Sequence, residues 1–251
     1  MILELKPFKY DHASEFYDLL ELDNKLNDDI VAGLLATLKV RKCLTVWDAS
    51  CGTGAQSIPL SQAGFEVSGT DLCEEMVRQA QNKGCESIQF QQADMRNHKV
   101  EPVDAVIVMM NSLGHLSSEG LRDALQNFHS NLKPGGLLIA DFDNRLFLEE
   151  NLSDNFFVSR VCFIDRVKHL RQTKAVPVGE GIYEITDIWQ KLDDVFFEET
   201  CEVQSWSCHE MTKFLQSSGF KVKNWFNRRF QMLADPQSSS SDSLLFVAQK
   251  Q

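Results

Sequence analysis

The 251-residue chain is short of positive charge, of long apolar runs and of paired cysteines, and each shortage argues against a class of function. Lysine and arginine number 25 against 36 aspartates and glutamates, for a formal net charge of -11. A protein held on nucleic acid by phosphate neutralisation needs a basic face, so nucleic acid is not the expected partner. Arg228-Arg229 and Lys221-Lys223 leave only a small opening for it. No run of 18 apolar residues occurs, which argues against a membrane-spanning helix. The opening "MILELKPFKY" carries charges where a secretory leader needs its apolar core, so the expected location is the cytoplasm. The seven cysteines (Cys43, Cys51, Cys73, Cys85, Cys162, Cys201 and Cys208) are odd in number and contain no CxxC pair. Free thiols are expected, with neither a disulfide framework nor a metal site. No internal repeat is present.

What is present is an alternation. After two amphipathic segments, "HASEFYDLLELDN" and "DDIVAGLLATLKV", short apolar runs alternate with helical ones. "LTVWDA", "EVSGTD", "SIQFQQAD", "DAVIVMMN" and "LLIADFD" read as strands, with "KPGG" as the turn before the last. The spacing predicts an α/β fold: a Rossmann-like, doubly wound, mostly parallel sheet of seven strands with helices on both faces. Beyond Leu152 the text becomes β-branched and aromatic with rough alternation, which predicts an antiparallel β insertion after the fifth strand. "SCHEMTKFLQSSG" returns to helix with Ser207 as cap and Gly219 as stop, and "FKVKNWF" and "SLLFVAQ" close the sheet. The expected organisation is 1–151 for the N-terminal helices and ligand-binding core, 152–206 for the insertion, and 207–251 for the last helix and strands.

The chemistry concentrates in "VWDASCGTGAQ", a strand followed by a tight glycine turn and a helix start, which is a nucleotide-type corner. A nicotinamide turn of the form GxGxxG would have a third glycine where Ser57 stands, and Asp48 would confront its diphosphate. A ligand with cationic centres suits Asp48 better. S-adenosylmethionine has an ammonium and a sulfonium. Asp71, 17 residues after Gly54 at the next strand end, can accept two ribose hydroxyls from either ligand. Asp94, at the third strand end, suits the adenine amine, with Ala93 and Met95 beside it. Each acid could instead be a helix N-cap, but three at successive strand ends favour a ligand. Cys51 sits inside the turn, where a helix N-terminus would lower its pKa; the simpler expectation is a small side chain packed under the loop.

"VWDASCGTG", "VSGTDLCEEM", "FQQADMRN", "DAVIVMMNSLGHL" and "LKPGGLLIADFDN", in that order, resemble the motifs of class I S-adenosylmethionine-dependent methyltransferases. "NSLGHL" and the antiparallel segment resemble the glycine N-methyltransferase branch and related small-molecule enzymes. The resemblance implies S-adenosylmethionine as cofactor and a small-molecule acceptor, an amine by preference, methylated by in-line displacement. It also implies roles. Gly52 and Gly54 with their turn would hold the methionine part, Asp71 and Leu72 the ribose, and Asp94 and Met95, with Ala93, the adenine; Asp48, Ser50, Cys51 and Met76 complete the cofactor-binding candidates. Met110, Asn111 and His115 would face the methyl group and acceptor, Asn111 as a positioning group and His115 as a base or a loop-shaping residue. Tyr17 is the candidate to lie over the sulfonium. Where glycine N-methyltransferases carry an arginine after the fifth strand, this chain has Asp143 and Asn144, with Arg145 displaced, which speaks against glycine as acceptor. The insertion would either roof the acceptor pocket, with Tyr183, Trp189 and Phe196 as aromatic candidates, or form a homodimer surface. The alternatives are a cofactor-binding sensor without transferase activity, an RNA or protein methyltransferase, and a nicotinamide-dependent oxidoreductase.

Overall fold

A computed structural model describes residues 5–20, 24–84, 86–151, 156–164, 167–191, 194–238 and 240–251. Cys85 lies outside these residues and nothing is described of the Cys162 side chain, while Cys43, Cys51, Cys73, Cys201 and Cys208 are free thiols. Two helices, α1 (Tyr10–Leu20) and α2 (Asn24–Val40), precede the first strand. The strands β1 (Thr45–Asp48), β2 (Glu66–Asp71), β3 (Gln89–Gln92), β4 (Val103–Val108) and β5 (Leu132–Asp143) are separated by α3 (Ser57–Gln62), α4 (Glu74–Asn82) and α5 (Ser118–Asn131). A short helix α6 (Arg145–Asn151) leads into β6 (Phe156–Ile164), β7 (Val167–Gly179), β8 (Ile182–Lys191) and β9 (Asp194–Gln204). The chain ends with α7 (Cys208–Ser217), β10 (Phe220–Asn227) and β11 (Ser243–Lys250).

The main sheet has seven strands in the order β10-β11-β5-β4-β1-β2-β3. The five from β3 to β5 are parallel, and β11 runs antiparallel between β5 and β10. Its central strands are apolar at nearly every position because both faces are covered. Val106, Leu138 and Phe246 belong to one core with Trp47, Phe128, Trp206 and Leu215. Their chain neighbours Ile107, Ile139 and Val247 belong to the other, with Leu34, Leu38, Leu60 and Val77. Period-two alternation thus feeds two cores from one sheet, each fully buried large side chain contributing roughly 1.5–3 kcal/mol. Trp47 keeps its one polar atom satisfied, Nε1 donating to Thr70 Oγ1 at 2.9 Å.

Lys133–Gly136, expected as a turn, lies inside β5. Between β4 and β5 the register jumps from Val103↔Leu132 to Ala105↔Leu137, so the Pro-Gly-Gly stretch is a bulge absorbed by the strand. The helix after the glycine turn is shorter than its sequence suggests, ending at Gln62. Ser207 and Glu210 close a reciprocal capping box on α7.

The inserted strands β6 to β9 form a separate antiparallel sheet in chain order. On its inner face Tyr183 packs with Phe8 and Leu148, and Trp189 packs with Ala13, Phe197 and Phe8. The segment before α1 is stitched to β9, Glu202 N–H donating to the Lys6 carbonyl at 2.9 Å. None of the described helices is long and apolar enough to cross a membrane.

Candidate functional site

The strand order reverses between β1 and β4, and beyond the carboxyl ends of these strands lies a cavity of about 490 Å³. Its floor is the glycine turn. Gly52 and Gly54 hold φ of 49° and 83°, values that a side chain rarely adopts. The turn is pinned on both sides: Ala49 N–H donates to the Ile107 carbonyl at 3.0 Å, and Cys51 N–H to the Thr70 carbonyl at 2.8 Å. Gly69 on β2 allows this approach, since a Cβ there would fall 2.6 Å from the Phe90 ring and 3.1 Å from Cys51 Cβ.

Asp71 closes the corner. Its Oδ2 accepts from Gly52 N–H at 2.9 Å and its Oδ1 from Cys73 N–H at 3.0 Å, which tie the turn to the start of α4 and leave lone pairs facing the cavity it lines. Burial raises its pKa, with backbone hydrogen bonds from Cys73, Gly52 and Leu72 acting against the rise. Leu72 beside it is 64% exposed. At the next strand end Asp94 makes a fork-to-fork pair with Arg96, Nη2 to Oδ2 being 2.6 Å. Burial opposes ionisation there, but the Arg96 contacts hold the Asp94 carboxyl below its ordinary range.

The opposite wall comes from the segment before and within α1. Tyr10 and Tyr17 meet edge to face at 6.1 Å, and Tyr10 Oη shares a 2.9 Å hydrogen bond with His115 Nε2. Burial pushes the His115 imidazole down to about 4, so it is neutral at physiological pH. The helix α1 is latched to the floor: Thr53 Oγ1 donates to Asp18 Oδ1 at 2.5 Å, and Lys83 pairs with Asp18 while donating to the Thr53 carbonyl at 2.7 Å.

Of the residues expected at the site, Tyr17, Ser50, Cys51, Gly52, Asp71, Leu72, Met76, Ala93, Asp94, Met95, Met110 and His115 line this cavity. Three do not. Asp48 is 1% exposed beneath the turn, where it accepts from Ser57 Oγ at 2.6 Å. Burial raises it to about 7, with Ser57 and the Ser50 backbone opposing and Asp71 adding to the rise. Gly54 faces the packing of Ile58 and Phe90, each 3.1 Å from the point where a Cβ would stand, and so shapes the floor from below. Asn111 is turned back into the sheet, its side chain bonded to Asp143 rather than to the cavity.

Cys51 lines the cavity floor but is 2% exposed, and burial together with Asp48 and Asp71 pushes its thiol far up, so it is not a reactive cysteine. Tyr183 and Trp189 are buried on the inserted sheet and Phe196 is 39% exposed; none of the three lines the cavity, because residues 5–11 lie between. Tyr10 and Phe8, which no sequence motif singles out, and Ser112, which lies in "NSLGHL" but takes no role from that resemblance, also line it. The only signal for Tyr10 is an aromatic residue in the first turn of an amphipathic helix, a pattern shared with any core residue. Arg145 is engaged elsewhere, 2.9 Å from Glu210 and donating to the Ser205 carbonyl.

Residues 46–136 match a family model described as a methyltransferase domain. The chain is 31% identical over 217 residues to the Bacillus subtilis protein named "Putative methyltransferase YqeM", covering 82% of this chain and 83% of that one. It is 40% identical over 124 residues to the glycine/sarcosine N-methyltransferase of Aphanothece halophytica, covering 46% of this chain and 47% of that one. In fold it resembles the S-adenosylmethionine-bound amino pentose methyltransferase CalS10 of Micromonospora echinaspora. The TM-score is 0.74 at 17% identity, over 90% of this chain and 92% of that one.

Proposed function

The chain belongs to the class I S-adenosylmethionine-dependent methyltransferases, and from that premise we propose that it methylates an amine on a small molecule by in-line displacement. The residues present fit the cofactor on an observation independent of kinship. Ser50 Oγ, in the cavity wall, is buried with no hydrogen-bond partner among the described residues, a donor awaiting a polar ligand. When bound, S-adenosylmethionine supplies a methyl carbon already activated by a sulfonium. Ser50, Cys51, Gly52 and Met76 would hold its methionine end. Asp71 and Leu72 would take the ribose, and Ala93, Asp94 and Met95 the adenine.

The observation that carries the amine reading is the neutral Tyr10–His115 pair. A hydroxyl acceptor is helped by a base whose pKa lies near the working pH, and an imidazole at about 4 is far too weak. An amine needs none, because it can arrive deprotonated with its own lone pair. With S-adenosylmethionine bound at the residues named above, its sulfonium would supply the methyl group to that lone pair and leave as the neutral thioether of S-adenosylhomocysteine, and the methylated ammonium would lose its proton to solvent. Tyr10, Tyr17 and His115 then act by orienting the nitrogen and excluding water, which is the greater part of catalysis for such a displacement. His115 is thus a positioning group and not a base.

Kinship points the same way. The relative from Aphanothece acts on glycine and sarcosine and the fold neighbour on an amino pentose, all amines on small bodies. The ion pairing of Arg145 removes the cation that would anchor a glycine carboxylate after the fifth strand, which favours an acceptor of the amino-sugar kind. Incubation with S-adenosylmethionine and a panel of glucosamine, glycine, sarcosine, a catechol and a short RNA, followed by S-adenosylhomocysteine release, tests this. Turnover on glucosamine above the others supports the reading. Turnover confined to the catechol or RNA overturns it, and cofactor binding without turnover on a wider amine set would mark a sensor.

A further inference from the structure

Two consecutive residues at the carboxyl end of β4, Met110 and Asn111, hold φ of 62° and 57°, and neither is glycine. Each such residue costs roughly 1–2 kcal/mol and persists only where its surroundings over-determine it. The surroundings here are three charged side chains. Asn111 N–H donates to Asp141 Oδ1 at 3.0 Å, its Nδ2 donates to Asp143 Oδ2 at 2.7 Å, and its Oδ1 accepts from Asp143 N–H at 3.0 Å. The second oxygen of each carboxylate goes to one guanidinium: Arg228 Nε to Asp141 Oδ2 and Arg228 Nη2 to Asp143 Oδ1, both at 3.1 Å. Ser243 Oγ adds a 3.3 Å bond to Asp143 Oδ1. A planar fork of donors can bridge two carboxylates in this way, and an ammonium cannot hold the same geometry.

Arg228 is itself fixed from outside the sheet. The Phe230 ring sits on Gly33 of α2, where a Cβ would fall 2.1 Å from Phe230 Cγ, and Arg229 pairs with Asp29 of the same helix at 2.6 Å. Asn227 Oδ1 caps the loop by accepting from the N–H groups of Arg229 and Gln231. On its other side the strained turn ends at the cavity, where Met110, Ser112 and His115 form the wall. Arg228, Asp141, Asp143 and Asn111 do not line that cavity.

We propose that Arg228 is a remote positioning residue for methyl transfer: by neutralising Asp141 and Asp143 it holds Asn111 left-handed, and so sets Met110 and His115 against the bound methyl group. Without the guanidinium two buried carboxylates are left facing one another, a strongly unfavourable arrangement. The turn then relaxes towards right-handed backbone and the wall shifts, while the glycine turn and Asp71, which bind on the far side, stay in place. The inference rests on the transferase assignment and not on the choice of an amine.

Two variants test it. Arg228→Met removes the bridge; Asn111→Ala removes the side-chain staple and puts at φ 57° a residue that disfavours left-handed backbone, so the turn is released while Arg228 and both carboxylates stay in place. The methyl resonance of Met110, identified by its loss in Met110→Leu, is compared with that of Met76, and S-adenosylhomocysteine affinity is measured by calorimetry. Turnover is followed on whichever amine of the panel the wild type methylates. The Met110 signal is expected to shift or broaden in both variants while Met76 and the affinity hold. Turnover is expected to fall by up to about a hundredfold, the effect of an ångström-scale misplacement. Arg228→Lys, which keeps the charge and loses the fork, should fall between. Wild-type turnover in Asn111→Ala, an unmoved Met110 signal, or a loss of affinity that matches the loss of turnover would each overturn the proposal. If Arg228→Met fails to fold, Arg228→Lys and Asn111→Ala decide. If no amine is methylated, the Met110 signal decides, and only the amine reading has failed.

Discussion

Replacing Asp48 by asparagine should flatten the pH dependence of stability. Asp48 is buried beneath the glycine turn with a carboxyl raised to about 7, against an ordinary 3.8. In the folded chain it therefore keeps its proton up to about pH 7, whereas in the unfolded chain it has lost it by about pH 4. A raised acid stabilises the fold at low pH. That contribution is complete below about pH 4 and is lost as pH rises through about 7. At about 1.4 kcal/mol per pH unit the whole span is worth about 4 kcal/mol, and a comparison between pH 5 and pH 8 captures more than half of it. The Ser57 hydroxyl at 2.6 Å can still donate to the asparagine oxygen, so shape and hydrogen bonding are conserved. The assay is denaturant unfolding of wild type and Asp48→Asn at both pH values. The wild type should lose about 2–3 kcal/mol more than the variant between them. Equal losses would show that Asp48 is ionised at pH 5 in the folded chain, and a protonated carboxyl beneath the turn would be refuted.

Three further outcomes are expected. Asp71→Ala removes the carboxylate proposed for both ribose hydroxyls and should weaken S-adenosylhomocysteine binding at least about a hundredfold by calorimetry, since hydrogen bonds to a charged group contribute about 1.5–3 kcal/mol each; unchanged affinity would sink the ribose assignment. Gly69→Ala drives a methyl to 2.6 Å from the Phe90 ring and should lower stability by about 1–3 kcal/mol in thermal unfolding. Because burial keeps His115 neutral above about pH 4, the pH–rate profile should follow the ionisation of the acceptor amine and keep its shape in His115→Asn. A limb between pH 6 and 7 that disappears in His115→Asn would restore it as the base.

The sheet was legible because both its signals are local. Runs such as Val103–Val108 announce a strand covered on two faces, and glycines such as Gly64 and Gly84 stop the helices between strands. The cavity edge that carries Asp71 and Asp94 was legible for the same reason, since both stand at strand ends that the alternation itself locates. The opposite wall was not. Tyr10 meets His115 across 105 residues, and nothing within a window of either betrays the other. Asn111 misleads in a more instructive way. A polar residue at the end of β4 looks like a ligand group, but its partner Asp143 is 32 positions on and turns it away from the cavity. Asp48 likewise is a residue type that suits a cation, and only the fold reveals that it sits below the turn with its carboxyl raised by burial.

The stitching of the first segment to β9 sets an order in time. Lys6 is hydrogen-bonded to Glu202, 196 positions later, whereas the glycine turn finds Asp71 within 19. At the usual 5–20 residues per second of synthesis, roughly 7–25 s separate the emergence of Asp71 from that of Glu202. The half of the cavity proposed to take the cofactor can therefore assemble on the ribosome while the half proposed to take the acceptor still waits for its last strand. Lys6 and its neighbours, made before any of the strands, are among the last residues to be seated.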